Sequence, residues 1–331
     1  MTDPLWITEA DVVDALSLPE AIPALEAGLA LEAAGTARNM AKTHQIWGGH
    51  HTLHAIGAVV EGANIVGTKT WAHTAGGATP LVTLWNSDTG RLEAIIEAFA
   101  LGQMRTGGIS GVATARMANK DADDLAIVGT GKQSMTQVVA VAAVRPLKRI
   151  RVFSPTVENR QAFLARLEKL FPAADLVEAL SVEAAVKDAP IITLVTRART
   201  PVLTAAMIAP GTHLNAVGAI TPEREEFTQD VFDRVSAIAV DMVDSVKSLS
   251  AEFQKRFGSG DWSKVRPLSE LVAVKAERPP DADITLFKAM GMGLSDLALG
   301  IEILSRVRAK GGGRAIPHPK PAQPRLVRSP S

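Results

Sequence analysis

The sequence contains no cysteine and no tyrosine among its 331 residues. Without cysteine the chain cannot form disulfides, thiolate nucleophiles, iron–sulfur clusters or Cys-ligated zinc sites. Without tyrosine it cannot use a phenol as a proton donor, which excludes the Tyr/Lys pair of the short-chain dehydrogenases. The lack of cysteine fits a reducing compartment.

Net charge is also lacking, because 35 Lys and Arg residues balance 35 Asp and Glu residues. The chain therefore offers no broad field for nucleic acid or an anionic membrane, and a small-molecule partner is expected. Its longest apolar runs fall short of the ~18 residues of a membrane span. The acidic N-terminus does not resemble a secretory signal, so we expect a cytoplasmic protein.

The chain length corresponds to about two domains at ~150 residues each. The pattern of apolar and polar residues also changes along the chain. Ser17 and Glu20 have the spacing of a capping box, which predicts a helix that ends near Gly35. Between about 42 and 96, short alternating runs broken by glycines predict a meander of strands. Residues 246–283 are charged and expected to be irregular.

A second region, from about 122 to 245, alternates short Val/Ile/Leu-rich runs with helix-permitting sequence. This texture is typical of a parallel sheet buried on both faces, and it predicts a doubly wound domain. A final helix is predicted over about 294–309 from its helical spacing of leucines and isoleucines. The predicted strands lie at 125–129, 150–154, 175–179, 191–196 and 213–218.

The sharpest local motif is IVGTGKQS at 127–134, between a predicted strand and a predicted helix. Its first glycine permits a tight turn, and its second lets backbone amides approach a pyrophosphate. An ordinary glycine turn is the alternative, but the strand–loop–helix context favours dinucleotide binding. The predicted cofactor contacts in this motif are Gly129, Thr130, Gly131, Lys132, Gln133 and Ser134.

The end of the next strand indicates which dinucleotide is bound. NAD-binding proteins usually carry a carboxylate there for the ribose 2′-hydroxyl, whereas this chain has Ser154 and Thr156. Both can hydrogen-bond a 2′-phosphate, and Arg151 or Arg160 could supply charge, so NADP(H) is favoured over NAD(H). Glu158 leaves NAD(H) open, and the alternative for the two arginines is a solvated surface position.

Two cations upstream are candidates for holding a substrate carboxylate. Lys69, Trp71 and His73 share one face of a strand because side chains alternate along it. Arg105 lies near the start of a helix predicted over 103–118, where a guanidinium can make a bidentate carboxylate contact. The alternatives are a solvated lysine and a structural ion pair.

Six segments, taken together and in order, resemble the ornithine cyclodeaminase and mu-crystallin family across about residues 5–309. The resemblance implies an α/β fold, with a Rossmann-type doubly wound parallel sheet plus an α+β substrate-binding and dimerisation domain. It also implies a homodimer. The segments are GTKTWAH, SDTGRLEAII, QMRTGG, IVGTGKQS, PGTHLNAVGA and TLFKAMGMGLSDLALG. The expected domains are 1–118 with 295–310 for substrate and dimerisation, 119–294 for NAD(P), and a disordered tail at 311–331.

The resemblance also assigns roles to residues. Lys69 and Arg105 match the residues that grip the substrate carboxylate and are the candidate catalytic residues, with Lys69 as the candidate proton donor and His73 as a weaker alternative. A second family arginine has no clear equivalent, and Lys42 or His44 are nearest. The implied substrate contacts are Lys42, His44, Lys69, Trp71, His73 and Arg105. The further implied cofactor contacts are Thr196, Val217, Gly218 and Lys288.

One departure from the family bears on the reaction. The cyclodeaminases carry an aspartate after the NAVG strand, whereas Ile220 stands there in this chain and cannot transfer a proton. The resemblance therefore implies NAD(P)H-dependent reduction of an α-imino acid to an L-amino acid, the substrate being a cyclic ketimine such as pyrroline-2-carboxylate or piperideine-2-carboxylate. The alternatives are an amino-acid dehydrogenase, a cyclodeaminase-type ammonia lyase, and a non-catalytic NADP-dependent ligand-binding protein of the mu-crystallin kind.

Two further sets of residues receive no catalytic role. His50, His51 and His54 do not predict a metal site, because His51 faces away from the other two on a strand and Glu61 is the nearest carboxylate. Asp296 lies in the C-terminal family-like segment, where a structural role is at least as well supported as a catalytic one. No metal is expected.

Overall fold

The computed structural model describes residues 3–49 and 51–326, which are organised around two β-sheets. His50 and the end of the tail, 327–331, lie outside the described residues. Among the described residues, no helix has the length and apolar content needed to cross a membrane.

The first sheet is built mainly from the N-terminal part of the chain. Its strands are β1 (Leu5–Ile7), β2 (Ala37–Asn39), β3 (Thr43–Trp47), β4 (His51–Val60), β5 (Ile65–Thr74), β6 (Gly77–Ala78), β7 (Leu81–Asn86), β8 (Leu92–Glu97) and β17 (Arg314–Ala315). Their order is β17-β1-β8-β7-β5-β4-β2, with β3 on β4 and β6 on β5. Strands β4, β5, β7 and β8 pair antiparallel in sequence, which confirms the predicted meander.

Four helices accompany this sheet: α1 (Glu9–Ala15), α2 (Leu18–Ala33), α3 (Phe99–Met117) and α11 (Gly293–Ala309). The predicted capping box is present, since the backbone N–H of Ser17 donates to the Glu20 carboxylate at 2.9 Å. Gly35 follows α2 with φ 77°, the left-handed conformation that glycine adopts most readily. Local sequence therefore sets both ends of this helix.

The second sheet contains the doubly wound arrangement that the sequence predicts. Its strands are β9 (Asp124–Val128), β10 (Arg149–Phe153), β11 (Asp175–Glu178), β12 (Ile191–Leu194), β13 (His213–Ala216), β14 (Val235–Val240), β15 (Val265–Pro267) and β16 (Ile284–Lys288). They pair in parallel in the order β11-β10-β9-β12-β13-β16-β14-β15. Apolar clusters cover both faces, one around Phe227 and one around Phe163.

Short helices flank the second sheet: α4 (Ser134–Ala142), α5 (Val157–Leu170), α6 (Val182–Val186), α7 (Val231–Arg234), α8 (Val243–Leu249), α9 (Ala251–Phe257) and α10 (Leu268–Ala273). The expectation of irregular structure over 246–283 is wrong for much of that stretch, which holds α9, β15 and α10. Strand β16 was also missed as a strand. Its position between β13 and β14 depends on long-range pairing that local patterns do not encode.

The last helix, α11, returns the chain to the first sheet. Its bounds agree with the predicted ones to within one residue. It approaches β4 so closely that a Cβ on Gly293 would lie 2.1 Å from the carbonyl oxygen of Gly57. Only a glycine leaves room for that approach, which seats the first turn of α11 against the sheet. Beyond the helix, Arg314–Ala315 pairs antiparallel with Leu5 and Trp6 at the start of the region expected to be a disordered tail.

Helix α3 links the two sheets through a ridge of glycines. A Cβ on Gly107 would lie 2.6 Å from the carbonyl oxygen of Thr136 on α4, and one on Gly111 would lie 2.9 Å from Ile22 on α2. Helix α3 therefore packs closely on the backbone of α4 and against a side chain of α2. This packing carries the first turns of α3, including Arg105, to the space between the sheets.

Candidate active site

A cleft of about 910 Å³ lies at the carboxyl ends of β9, β10, β12 and β13. Strand order changes direction at β9, since β10 pairs on one side of it and β12 on the other. Ligands of doubly wound sheets bind at such a switch point. The cleft therefore occupies the position in which this fold binds a dinucleotide.

The glycine loop after β9 forms one wall of the cleft. Gly129 has φ 112°, and a Cβ there would lie 2.6 Å from the carbonyl oxygen of Val195. A Cβ on Gly131 would meet nothing within 4 Å, so the backbone beside it stands open to the cleft. Helix α4 follows at Ser134, whose side chain is buried and whose backbone N–H donates to Gly131 at 3.1 Å. An open loop before a helix N-terminus fits a pyrophosphate.

The end of β10 lines the cleft with Ser154 and Thr156, the two residues singled out for the 2′ position. The two arginines suggested to help them are engaged elsewhere. Arg151 forms an ion pair with Asp124, and the Arg160 guanidinium donates to Glu178 at 3.0 Å. These arginines therefore supply no free charge to the cleft, and neither is simply a solvated surface residue.

Positive charge reaches the cleft from other positions. Among the described residues that line it, the charged ones are Lys132, Arg105, Arg197 and Arg224, and none is an aspartate or a glutamate. Such an excess of cations favours anionic groups. Sequence reasoning missed Arg197 and Arg224 because they lie in loops that only the fold brings to the cleft.

Three of the four remaining predicted cofactor contacts line the cleft, namely Thr196, Val217 and Gly218. Lys288 does not. It is fully buried at the end of β16, and its Nζ lies 3.5 Å from a carboxylate oxygen of the equally buried Glu252. The prediction for Lys288 is thereby corrected, because the neighbouring β13 and β14 enclose its strand.

A buried carboxylate that sequence reasoning missed fixes the ends of β12 and β13. Glu226 accepts from the backbone N–H of Thr196 at 2.7 Å and from that of Gly218 at 2.8 Å. A Cβ on Gly218 would lie 2.4 Å from the same carboxylate, so glycine is required there. No local pattern marks Glu226, since its partners are distant in sequence.

A smaller cavity of about 180 Å³ adjoins the cleft. The two share Arg105, Lys132 and Gln133 as lining residues. The smaller one is otherwise lined by Lys69, Trp71, Ala78, Pro80, Ala98, Phe99, Gly102 and Gln103. The structure thus brings the predicted carboxylate-binding cations to the junction of a cleft and a pocket with aromatic walls.

Lys69 and Arg105 meet on a single carboxylate. The Lys69 Nζ lies 2.8 Å from Oδ1 of Asp296, and the Arg105 Nε lies 3.3 Å from the same oxygen. Asp296 is fully buried in the first turn of α11, and Lys69 is only 5% exposed. Burial lowers the pKa of Lys69, the Asp296 charge raises it, and the neighbouring Arg105 lowers it.

Rings stack along the edge of the first sheet beside this lysine. His44, His54 and Trp71 lie on cross-strand partners, with ring centroids 5.7 Å and 4.6 Å apart in succession. The Lys69 Nζ lies 5.3 Å from the Trp71 centroid. Burial and the nearby Lys42 lower the pKa of His54 to about 4, so this ring is neutral at physiological pH. The sequence does not predict this stacked role for His54, because the ring's partners lie on two other strands.

The remaining predicted substrate contacts differ in placement. Lys42 is half-buried, and burial together with Arg105 lowers its pKa. His73 is exposed, pairs with Ala78, and lies outside the described lining of both cavities. Arg105 is further confined by Gly291, since a Cβ there would lie 3.1 Å from its guanidinium.

The chain is similar in sequence and in structure to the proteins of one known family. A sequence profile of the ornithine cyclodeaminase/mu-crystallin family matches residues 3–311. The chain belongs to this family. Over 240 residues it is 30% identical to a Delta(1)-pyrroline-2-carboxylate reductase of Bacillus cereus, which covers 71% of this chain and 73% of the relative.

Solved structures of family relatives superpose over nearly the whole chain. The Delta(1)-pyrroline-2-carboxylate reductase of Thermococcus litoralis, in complex with NADH and L-proline, is 26% identical, with a TM-score of 0.87 over 94% of this chain and 100% of that one. The iminosuccinate reductase of Paracoccus denitrificans, in complex with NAD+, is 25% identical, with a TM-score of 0.87 over 94% and 98%. In the present chain, Ile220 is one of the residues that line the large cleft.

The open backbone at Gly131 gives a specific prediction. Gly131→Ala should leave the fold intact, because the added methyl group meets no protein atom within 4 Å. It should weaken nicotinamide dinucleotide binding at least about tenfold, since a methyl group in the approach to the pyrophosphate costs ~1.4 kcal/mol or more. Cofactor titration by fluorescence measures this, with the exposed Gly76→Ala as control. Equal affinities for both variants would contradict the placement of the pyrophosphate.

Proposed function

We propose that this chain reduces the C=N bond of an α-imino acid, a cyclic ketimine such as pyrroline-2-carboxylate or piperideine-2-carboxylate, to the L-amino acid with NADPH. It acts as a nicotinamide-dependent oxidoreductase on C=N bonds, in line with the reductases that it resembles. The observation that carries the substrate class is the meeting of Lys69 and Arg105 at the junction of pocket and cleft.

The carboxylate of the substrate is the group that these cations would hold. A guanidinium and an ammonium side by side offer charge-assisted hydrogen bonds to both carboxylate oxygens. Arg105 lines the cleft as well as the pocket, so an acid held by it lies beside the dinucleotide position. Orientation of this kind supplies much of the catalysis of a hydride transfer.

The chemistry needs one hydride and one proton. A bound nicotinamide cofactor supplies the hydride to the imine carbon and leaves oxidised. The C=N electron pair then takes a proton at nitrogen, and the product is a secondary amine. Lys69 is our candidate donor, because burial lowers its pKa from the usual value and makes the ammonium a better acid.

The walls of the small pocket favour a ring over a second charged group. Trp71, Phe99 and Pro80 contribute apolar surface to this pocket of about 180 Å³. Ile220 in the cleft cannot take the role of the cyclodeaminase aspartate, which disfavours release of ammonia from ornithine. A cyclic ketimine has an apolar ring for these walls and carries no second amine that would need an aspartate.

The preference for NADP(H) over NAD(H) rests on charge in the cleft. Ser154 and Thr156 can donate to a 2′-phosphate, and no carboxylate in the described lining would repel it. Because Arg151 and Arg160 are held by Asp124 and Glu178, we assign the compensating charge to the lining cations outside the carboxylate clamp, namely Lys132, Arg197 and Arg224. NADPH is therefore the proposed physiological reductant.

We expect loss of NADPH absorbance with pyrroline-2-carboxylate or piperideine-2-carboxylate, slower turnover with pyruvate plus ammonia, and a lower kcat/KM with NADH. Absence of oxidation with every pair would favour a ligand-binding protein that does not turn over. Ammonia release from ornithine without net change of cofactor would instead show a cyclodeaminase.

Removal of either cation tests the carboxylate clamp. Lys69→Ala and Arg105→Ala should each lower kcat/KM for the imine about 10- to 100-fold or more, since each deletes a charge-assisted hydrogen bond. The dissociation constant of NADPH should change little. Lys310→Ala, which removes an exposed lysine at the end of α11, serves as control. Loss of NADPH binding without loss of turnover at saturating cofactor would show that the clamp is misplaced.

We also propose that the first sheet forms a homodimer interface through its second face. Buried and half-exposed residues alternate along β7 and β8, and the buried ones face the core under α11. The other face carries side chains that are only half-buried, among them the apolar Trp85 and Ile95 and the polar Thr83. Large apolar side chains that stay half-exposed on a sheet face are typical of an association site.

Light scattering of the wild-type protein should give a particle mass of twice the chain mass. The variant Ile95→Lys should have a particle mass closer to that of a single chain, because it places an unpaired charge in the interface. The control variant Ala75→Lys, at an exposed position on the loop between β5 and β6, should keep the wild-type particle mass. A monomeric wild-type protein would contradict the proposed interface.

A further inference from the structure

The carboxylate of Asp296 has no part in the proposed reaction. It is fully buried, and its Oδ1 is shared by the Lys69 ammonium at 2.8 Å and the Arg105 guanidinium at 3.3 Å. The other oxygen, Oδ2, is buried and has no hydrogen-bond partner among the described residues. A charge so enclosed is costly unless it is paired, so its role must lie in that pairing.

We propose that Asp296 is a positioning residue that keeps Lys69 protonated and holds it beside Arg105, so that both cations can bind one substrate carboxylate. A buried ammonium and a half-buried guanidinium repel each other and separate unless an anion lies between them. Asp296 supplies that anion from a third element, helix α11. The group of three then keeps one net positive charge, which matches one carboxylate.

The sequence of α11 makes this placement rigid. Asp296 lies one turn after Gly293, whose lack of a side chain lets the helix touch the backbone of Gly57 on β4. In the register of β4 and β5, Ile56 pairs with Lys69, next to that contact. The helix start, the lysine strand and the carboxylate are therefore locked to one another by backbone contact.

The groups around Lys69 define what its protonation depends on. Asp296 faces it from α11, Arg105 from α3, and Lys42 from the segment before β3. On its own strand Trp71 lies beside it, and His54 of β4 stacks on that ring and is neutral. Asp296 is the one anion among these described neighbours, and burial, Arg105 and Lys42 all lower the pKa of the lysine. Removal of Asp296 should therefore lower the pH at which Lys69 loses its proton.

Asp296→Asn keeps the shape of the side chain and removes its charge. The proposed function requires protonated Lys69, so the fall of kcat/KM at alkaline pH should move down by about one pH unit or more. At neutral pH, kcat/KM should fall at least about 100-fold, while NADPH binding stays unchanged. The control is Asp14→Asn, which breaks the exposed ion pair to Lys310 on the same helix. An unshifted pH profile would overturn the proposal.

This kinetic readout rests on the proposed function, so a second readout is needed that does not. NMR of lysine labelled with 15N follows the Lys69 ammonium directly, with its signal assigned by its loss in Lys69→Met. The midpoint of its titration should be lower in Asp296→Asn than in the wild type. Equal midpoints would overturn the proposal, whether or not the chain reduces imines.

The Asn variant leaves the buried Lys69 and the half-buried Arg105 without their shared anion and could fail to fold. In that case the double variant Lys69→Met/Asp296→Asn removes one of those cations along with the anion. It should recover NADPH binding and unfold at a higher temperature than Asp296→Asn alone, as a double-mutant cycle requires of coupled charges. A double variant no more stable than the single one would contradict the pairing.

Discussion

The structure of the site depends on one buried ion pair, between Lys69 on β5 and Asp296 on α11. A lysine at 5% exposure keeps its charge only with an anion beside it, and the anion comes from a residue 227 positions along the chain. The last helix must therefore leave the second sheet and return to the first. Gly293 permits that return through its contact with Gly57.

The same pair connects the two halves of the molecule at the place where chemistry is proposed. Arg105 reaches Asp296 from α3, whose glycine ridge packs on α4, and α4 begins at the glycine loop. The substrate cations and the dinucleotide loop are thus positioned by one continuous set of backbone contacts. Removal of any link would move the clamp relative to the cleft, and hydride transfer is sensitive to displacements of this kind.

Much of this was predictable from sequence because local patterns encode it. The capping box at Ser17, the strand runs of the second sheet and the glycine loop at Gly129 each depend on neighbours within a few residues. The failures depend on partners far away in the chain. Arg151 looked free for a phosphate but pairs with Asp124, and Lys288 looked like a cleft residue but is enclosed with Glu252. The family resemblance assigned a role to the two cations, but it did not predict that the Asp296 carboxylate lies between them.

The central claim is that these two cations hold the carboxylate of an imino or amino acid beside the nicotinamide. A crystal structure of the protein with NADP+ and L-proline tests it most directly. The account predicts the proline carboxylate within about 3.2 Å of the Lys69 Nζ and of an Arg105 guanidinium nitrogen, with its ring between Trp71 and the nicotinamide. A proline carboxylate bound by other residues, with Lys69 and Arg105 contacting only Asp296, would contradict it.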